Sequence, residues 1–427
     1  MALSYVIILL IVLLGAGVFV GLTLIGTGAI ALSIFRDLPV IKLLAFELWQ
    51  SLNSPELVAL PMFILMGEIL FNTRLSENLF EGLKPWMNRI PGGLIHINVL
   101  GCTLFSAVSG SSAATTATVG RMTLKELNTQ GYDKSLSIGS LCGAGTLGFL
   151  IPPSIILILY GVLAEVSILD LFLAGIIPGL CLAILYMLYI GFKVYRNPKL
   201  SPDISNHINW SQRFKSLKLF LPIILLIIAV LGSMYVGFSA PSEAAVIGVL
   251  GALFIAGAQG EITKSSIKNT FKGTVKTISM IGLILGGALF LSKVMAYLYL
   301  PQILGGYINS LSLAPFQLII LLLIFYVALG TILDGLSLII MTLPITLPLV
   351  VSAGYDPVWF AIFLVISVEM AQITPPVGFN LFVVKNLTGE PISTIAKASF
   401  PFFLILGGFA LLLALIPEIA TYLPAHR

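Results

Sequence analysis

Long apolar runs alternate with short polar breaks along this chain, and the lengths of the runs predict most of its elements. A membrane-spanning helix needs about 20 apolar residues. The run from Val6 to Phe35 exceeds that, and Gly15, Gly17 and Gly21 cut it into two short spans joined by a tight turn. Residues 37–53, amphipathic with Lys42 and Glu47 and preceded by Arg36, predict a helix lying on the membrane surface. Residues 55–73 span again, and the charged, proline-bearing 74–92 predict a loop or a short surface helix. Residues 94–122 are only mildly apolar and carry Ser106, Ser109, Ser111, Ser112, Thr115 and Thr116 around Gly110. That pattern suits a re-entrant hairpin better than a clean span. A broken helix over 135–161 and a span over 168–192 complete a first unit, residues 1–192.

Residues 193–218 are the only long polar stretch, and a cytoplasmic linker over 193–216 divides the chain in two. The plan then repeats across 217–427, with spans at 217–238 and 241–260 and a surface helix at 261–276. That helix places Lys264, Lys268, Lys272 and Lys276 at four-residue intervals on one face. A span at 277–298 precedes a hairpin over 314–350, broken around Gly330, Asp334 and Gly335. A second broken helix over 357–385 and a last span at 393–420 close the chain.

Two stretches make the repetition explicit. Gly131-Tyr132-Asp133 is followed after eighteen residues by Pro152-Pro153, and 223 positions later Gly354-Tyr355-Asp356 is followed after eighteen residues by Pro375-Pro376. Proline removes a backbone donor and clashes with the preceding turn, so each pair breaks a helix where it stands. In lipid a broken helix survives only where protein or a wet cavity satisfies the freed groups. Matched interruptions in two halves of an apolar chain point to a transporter's binding site.

Composition supports a membrane reading: 58% of the residues are hydrophobic and 9% charged, against about 25% charged in soluble domains. The first residues lack the basic region of a cleaved signal, so the first apolar run is expected to stay in the mature protein. Charge placement sets the orientation. With the 193–218 loop in the cytoplasm and the halves inverted, eighteen of the 22 Lys and Arg fall on that side. Only Arg36, Lys42, Lys293 and Arg427 lie elsewhere. Cys102, Cys142 and Cys181 sit far apart in apolar segments and read as packing residues.

The candidate chemistry is cation binding. Ser106, Ser109, Gly110 and Ser111 at the first hairpin, with Gly145 and Pro152 at the first break, form an oxygen cage suited to sodium, or else small residues that tighten helix packing. A second cage uses Gly330, Thr331, Asp334, Thr374 and Gly378. A carboxylate near the bilayer centre costs roughly 2.5–3.5 kcal/mol, so Asp334 faces a cation, a substrate or a wet cavity, or reaches the headgroups from a hairpin end. Ser112, Ser154, Asp334 and Asn380 are the candidate substrate contacts. Glu369 either binds or pairs with a neighbour such as Gln372, while Glu68 and Glu243 read as structural anchors.

Enzyme chemistry fits badly. Ser109-Gly110 matches an intramembrane serine-protease pair, but Ala107 stands where a glycine belongs. His207 and His426 lie in polar segments, and His96 at a helix start reads as structural. No ATP-binding or metalloprotease motif appears, so an ion gradient is the expected energy source and no nucleic-acid partner is expected.

Phe105-Ser106 through Ala113, Gly145-Thr146-Leu147-Gly148 to Ile155, Leu171 to Gly179, Pro241-Ser242-Glu243-Ala244-Ala245 and Thr374 to Leu381 together resemble the large membrane subunit of TRAP transporters, the tripartite ATP-independent periplasmic transporters. The resemblance covers nearly the whole chain. It implies an all-α polytopic protein of the bacterial inner membrane, an inverted repeat with two hairpins and two Pro-Pro-broken helices. It also implies an elevator-type, sodium-coupled importer of organic acids. Its partners would be a small four-span membrane subunit and a periplasmic substrate-binding protein. Glu369-Met370-Ala371-Gln372-Ile373 departs from the Gly-Leu-Leu-like stretch expected there. The sialic-acid members are the most similar, so sialic acid (N-acetylneuraminate) is the expected substrate. The alternative is a self-sufficient sodium-coupled carboxylate carrier, and a membrane-embedded hydrolase comes third.

Overall fold

The computed structural model describes residues 2–426 except 37, 54, 203–208, 301, 304 and 307–313. His207 and Arg427 lie outside the described residues. The described residues form nineteen α-helices and no strand. The first half holds α1 (Ala2–Gly15), α2 (Val20–Phe35), α3 (Val40–Leu52), α4 (Ala59–Phe71), α5 (Leu75–Met87), α6 (His96–Ser109), α7 (Ser112–Thr129), α8 (Lys134–Thr146), α9 (Ile155–Ala164) and α10 (Ile168–Arg196). The second holds α11 (Trp210–Tyr235), α12 (Pro241–Ala258), α13 (Lys264–Tyr297), α14 (Pro315–Gly330), α15 (Gly335–Ser352), α16 (Pro357–Gln372), α17 (Phe379–Thr388), α18 (Ile392–Leu415) and α19 (Glu418–Ala425). Six helices among the described residues are long and apolar enough to cross a membrane.

The repeat is visible in the caps. Asp133 caps α8 by accepting from Leu136 N, and Asp356, 223 positions on, caps α16 by accepting from Val358 N and Trp359 N. The same offset relates Ser111, the N-cap of α7, to Asp334, the N-cap of α15. A side-chain acceptor at each start satisfies backbone donors that the helix leaves orphaned. Helices α8 and α16 are also the most enclosed: every residue from Leu136 to Thr146 and from Trp359 to Gln372 is buried. A helix apolar on all sides belongs to an interior. The two breaks therefore sit at the centre of the fold.

Around this centre α2 packs along α13, and α4 along α12 and α13. Small residues permit the approach: a Cβ on Gly287 would lie 2.7 Å from the Gly21 carbonyl oxygen, and one on Gly21 would lie 2.8 Å from that of Leu283.

Two expectations change, and a third is decided between its alternatives. The linker read over 193–216 is shorter, because α10 continues to Arg196 and α11 begins at Trp210. Polar residues do not end a helix, whereas caps do, and Asn209 N donates to Gln212 Oε1 at 3.2 Å to start α11. The stretch 261–276 is not a separate surface helix but the beginning of the 34-residue α13. Its counterpart α3 is separated from α4, where Pro55 interrupts the helix, and α13 contains no proline. Residues 74–92 resolve as the short helix α5, tied to α7 by Lys84 Nζ donating to Glu126 Oε1 at 2.9 Å.

Candidate cation and substrate site

Each hairpin tip meets a Pro-Pro break. In the first hairpin α6 ends at Gly110, whose φ of +58° is left-handed and whose N–H donates to Ser106 O at 2.9 Å. A Cβ there would come within 3.1 Å of both Pro153 O and Ile155 N, so only glycine lets this tip sit against the break. A Cβ on Gly148 would in turn lie 2.8 Å from Ser111 O. Ser109 Oγ and Thr115 Oγ1 are 2.8 Å apart across the tip. Ser106 Oγ, one turn back, is fully buried and has no hydrogen-bond partner among the described residues. Gly145 packs directly under Thr116 Oγ1.

The second hairpin is built alike. Asp334 Oδ2 accepts from Ser337 N at 3.1 Å and its Oδ1 accepts from Ser337 Oγ at 2.5 Å. Thr331 O accepts from Val377 N at 3.2 Å, which joins this tip to the second break. Gly330 packs against Ala371. Thr331 and Thr374 direct their hydroxyls to the carbonyls of Ala328 and Met370, at 2.8 and 2.7 Å.

The halves also cross. Asn380 Nδ2 donates to Ser112 Oγ at 2.8 Å, both residues fully buried, and Gly335 packs against Phe149. The first hairpin thus touches the helix after the second break, and the second hairpin touches the turn before the first. Ser112 and Asn380 come together, whereas Ser154 and Asp334 do not bond to them or to each other.

Proline explains which carbonyls are free. In a continuous helix the N–H of residue i bonds the carbonyl of i−4. Pro153 and Pro376 have none, which releases the carbonyls of Phe149 and Gln372. Ser154 Oγ donates to Phe149 O at 2.5 Å and accepts from Leu157 N at 3.4 Å, so its hydroxyl repairs the first break and caps α9. At the second break no donor among the described residues replaces it. A Cβ on Gly378 would meet Thr374 O at 2.7 Å and Gln372 O at 3.1 Å, so two carbonyls converge on a cradle that only glycine leaves open. The two carbonyls at the second break and the buried orphan hydroxyl of Ser106 in the first hairpin are hard oxygen atoms at two separate places, of the kind that can hold a monovalent cation.

Between the first tip and α4 and α13 lies a cavity of about 340 Å³, lined by Ser109, Gly110 and Ser111 and by Glu68, Gly67 and Thr277. Glu68 is its single charged group. Sequence reasoning set Glu68 aside as an anchor, because one acid in an apolar span carries no local sign of what it faces. Glu243 does anchor: its Oε2 accepts from Ala240 N at 2.9 Å at the start of α12. Glu369 does not pair with Gln372. Both its carboxylate oxygens and Gln372 Nε2 lack partners, and both residues are buried. His96 Nε2 lies 2.8 Å from Pro91 O, in a structural setting. The three cysteines are free.

Helical hairpins seated on broken helices, in a chain with several membrane-crossing helices, define a polytopic membrane transporter. The chain belongs to the family described as the tripartite ATP-independent periplasmic transporter, DctM component, whose model matches residues 7–419. It is 31% identical to the C4-dicarboxylate TRAP transporter large permease protein DctM of Pseudomonas aeruginosa, over 93% of this chain and 92% of that one. It is also 31% identical to the sialic acid TRAP transporter large permease protein SiaM of Vibrio cholerae, over 96% of each. The fold is similar to that of the YdaH transporter of Alcanivorax borkumensis, with a TM-score of 0.64, 16% identity and 89% of each chain covered. The family is one of transporter permease subunits and not of enzymes.

Proposed function

We propose that this chain imports an organic acid across the bacterial inner membrane. It would do so as the large subunit of a complex with a small membrane subunit and a periplasmic binding protein. A sodium gradient drives the import. The observation that carries this reading is the seating of each hairpin tip on a Pro-Pro break, with Ser106 Oγ left without a partner and the Gln372 and Thr374 carbonyls turned to Gly378. Sodium at these two places gives the freed oxygens the partner they lack. Helices α6–α9 and α14–α17 form the moving domain, and α2–α4 with α11–α13 form the scaffold against which it slides.

The substrate lies in the cavity beside Ser109 and Ser111, where Glu68 faces it from the scaffold. A plain dicarboxylate there meets like charge. A hydroxyl-rich acid such as N-acetylneuraminate offers donors to Glu68 and a single carboxylate to the serine hydroxyls, which favours the sialic-acid class. Ser154, enclosed and doubly bonded, has a capping role in this reading.

Co-reconstitution in liposomes tests it. Labelled N-acetylneuraminate should enter only when all three components and an inward sodium gradient are present. Uptake by this chain alone would replace the reading with a self-sufficient carrier. Preference for succinate over N-acetylneuraminate would remove the sugar acid and leave the tripartite importer standing.

A further inference from the structure

Helix α13 is too long for the bilayer it crosses. Its 34 residues extend about 51 Å, whereas the hydrocarbon core is about 30 Å thick. The surplus is the stretch Lys264–Lys276, and it is organised in three rows. Thr270 and Thr274 are buried, and Thr270 Oγ1 accepts from Asn72 Nδ2 of the α4 C-cap at 3.3 Å. Beside them Ile267, Phe271 and Val275 are exposed by 44, 58 and 59%. The next row is Lys264, Lys268, Lys272 and Lys276, all exposed.

A helix end standing in water has no reason to expose an unbroken row of large apolar side chains. A helix end that passes through the interface does: the apolar row sinks beneath the headgroups while the lysines reach up to them. Among the described residues no acid forms an ion pair with these lysines. Glu261, at the approach to the helix, is held by Arg74 Nε at 3.0 Å, and the Glu68 carboxylate packs over Gly273 on the scaffold side. The other half of the molecule is an internal control. Helix α3 occupies the equivalent place with Ile41, Phe46 and Trp49 exposed, but it carries only Lys42 together with Glu47. The architecture therefore needs an amphipathic arm on both sides and needs lysines on neither.

We infer that Lys264, Lys268, Lys272 and Lys276, with Phe271 and Val275, form a binding surface for anionic phospholipid headgroups. That surface fastens the scaffold to one leaflet while the rest of the molecule moves. Each lysine near an anionic membrane surface contributes roughly a fivefold preference, and salt screens it.

A Phe271→Trp reporter reads the lipids at this surface. The full chain is placed in bilayers containing brominated phosphatidylglycerol or brominated phosphatidylcholine, and the emission of the unsubstituted protein is subtracted. Phosphatidylglycerol should be favoured by on the order of tenfold at the reporter. The preference should fall towards parity when Lys268, Lys272 and Lys276 are all changed to Gln, and likewise in about 1 M salt. Should the triple variant fail to assemble, the salt titration of the lysine-bearing protein decides alone. Equal quenching by the two lipids in that protein overturns the proposal. So does a preference that vanishes when the small membrane subunit is added, because the stripe would then be a protein–protein surface.

Discussion

Ser106 allows a clear test between a ligand and a packing residue, because among the described residues its buried hydroxyl bonds to nothing. Removing an unsatisfied buried hydroxyl that only packs should cost nothing or stabilise the fold by about 1 kcal/mol. Removing a cation ligand should weaken the cation. Ser106→Ala is therefore expected to raise the half-saturating sodium concentration of uptake several-fold, with the sodium-free thermal midpoint unchanged or higher. Asp334→Asn tests the second place. Asparagine caps a helix as well as aspartate does, so α15 should keep its start and only the charge is lost. Sodium affinity should fall with the fold intact, and a variant with both sodium and substrate affinity unchanged removes Asp334 from the site. The sequence draws attention to these positions because hydroxyls, glycine and proline coincide there. Ser154, expected as a substrate contact, is a buried cap instead, although a serine directly before an apolar helix is an N-cap signal that could have shown it. What Glu68 faces was not legible, because a single acid in an apolar run looks the same whether it meets lipid, protein or a cavity.

At the scale of elements, breaks were read better than continuities. Pro-Pro pairs and Gly110 declare themselves in the sequence, and both hairpins and both broken helices lie close to where they were expected. The unbroken course of α13 was missed because it changes from basic to apolar after its first third, and polarity was read as a boundary. Proline was the better guide: Pro55 separates α3 from α4, and nothing comparable interrupts α13. Helix α5 is joined to α7 mainly by Lys84, whose hydrogen bond, with a lesser one from Gln130, holds the Glu126 carboxyl below its usual range. A depressed carboxyl stabilises above its unfolded value and loses that contribution as pH falls through the folded one. Both partners are partly exposed, so less than about 1 kcal/mol is at stake. Glu126→Gln should lower the thermal midpoint slightly at neutral pH and leave it unchanged near pH 3. An equal drop at both pH values would mean that packing, and not charge, is lost.

At the scale of the whole molecule, the two halves are interlocked. The first hairpin reaches the helix after the second break through Ser112 and Asn380, and the second reaches the first break through Gly335 and Phe149. In the sliding mechanism proposed above, such a body moves as one piece and its motion occurs where it meets the scaffold. Part of the meeting surface is smooth: a Cβ on Gly67 of α4 would lie 3.2 Å from Val108 O and 3.4 Å from Ser109 Cα. A side chain there would press into the tip of the hairpin. A covalent tie there would hold the moving body still. In a background freed of Cys102, Cys142 and Cys181, Gly67→Cys combined with Ser109→Cys should form a disulfide on oxidation. Uptake should stop when that bond forms and return on reduction to the level of the reduced double variant, while each single variant ignores the oxidant. Uptake that continues with the bond fully formed would show that this hairpin does not slide past α4, and that substrate crosses by another movement.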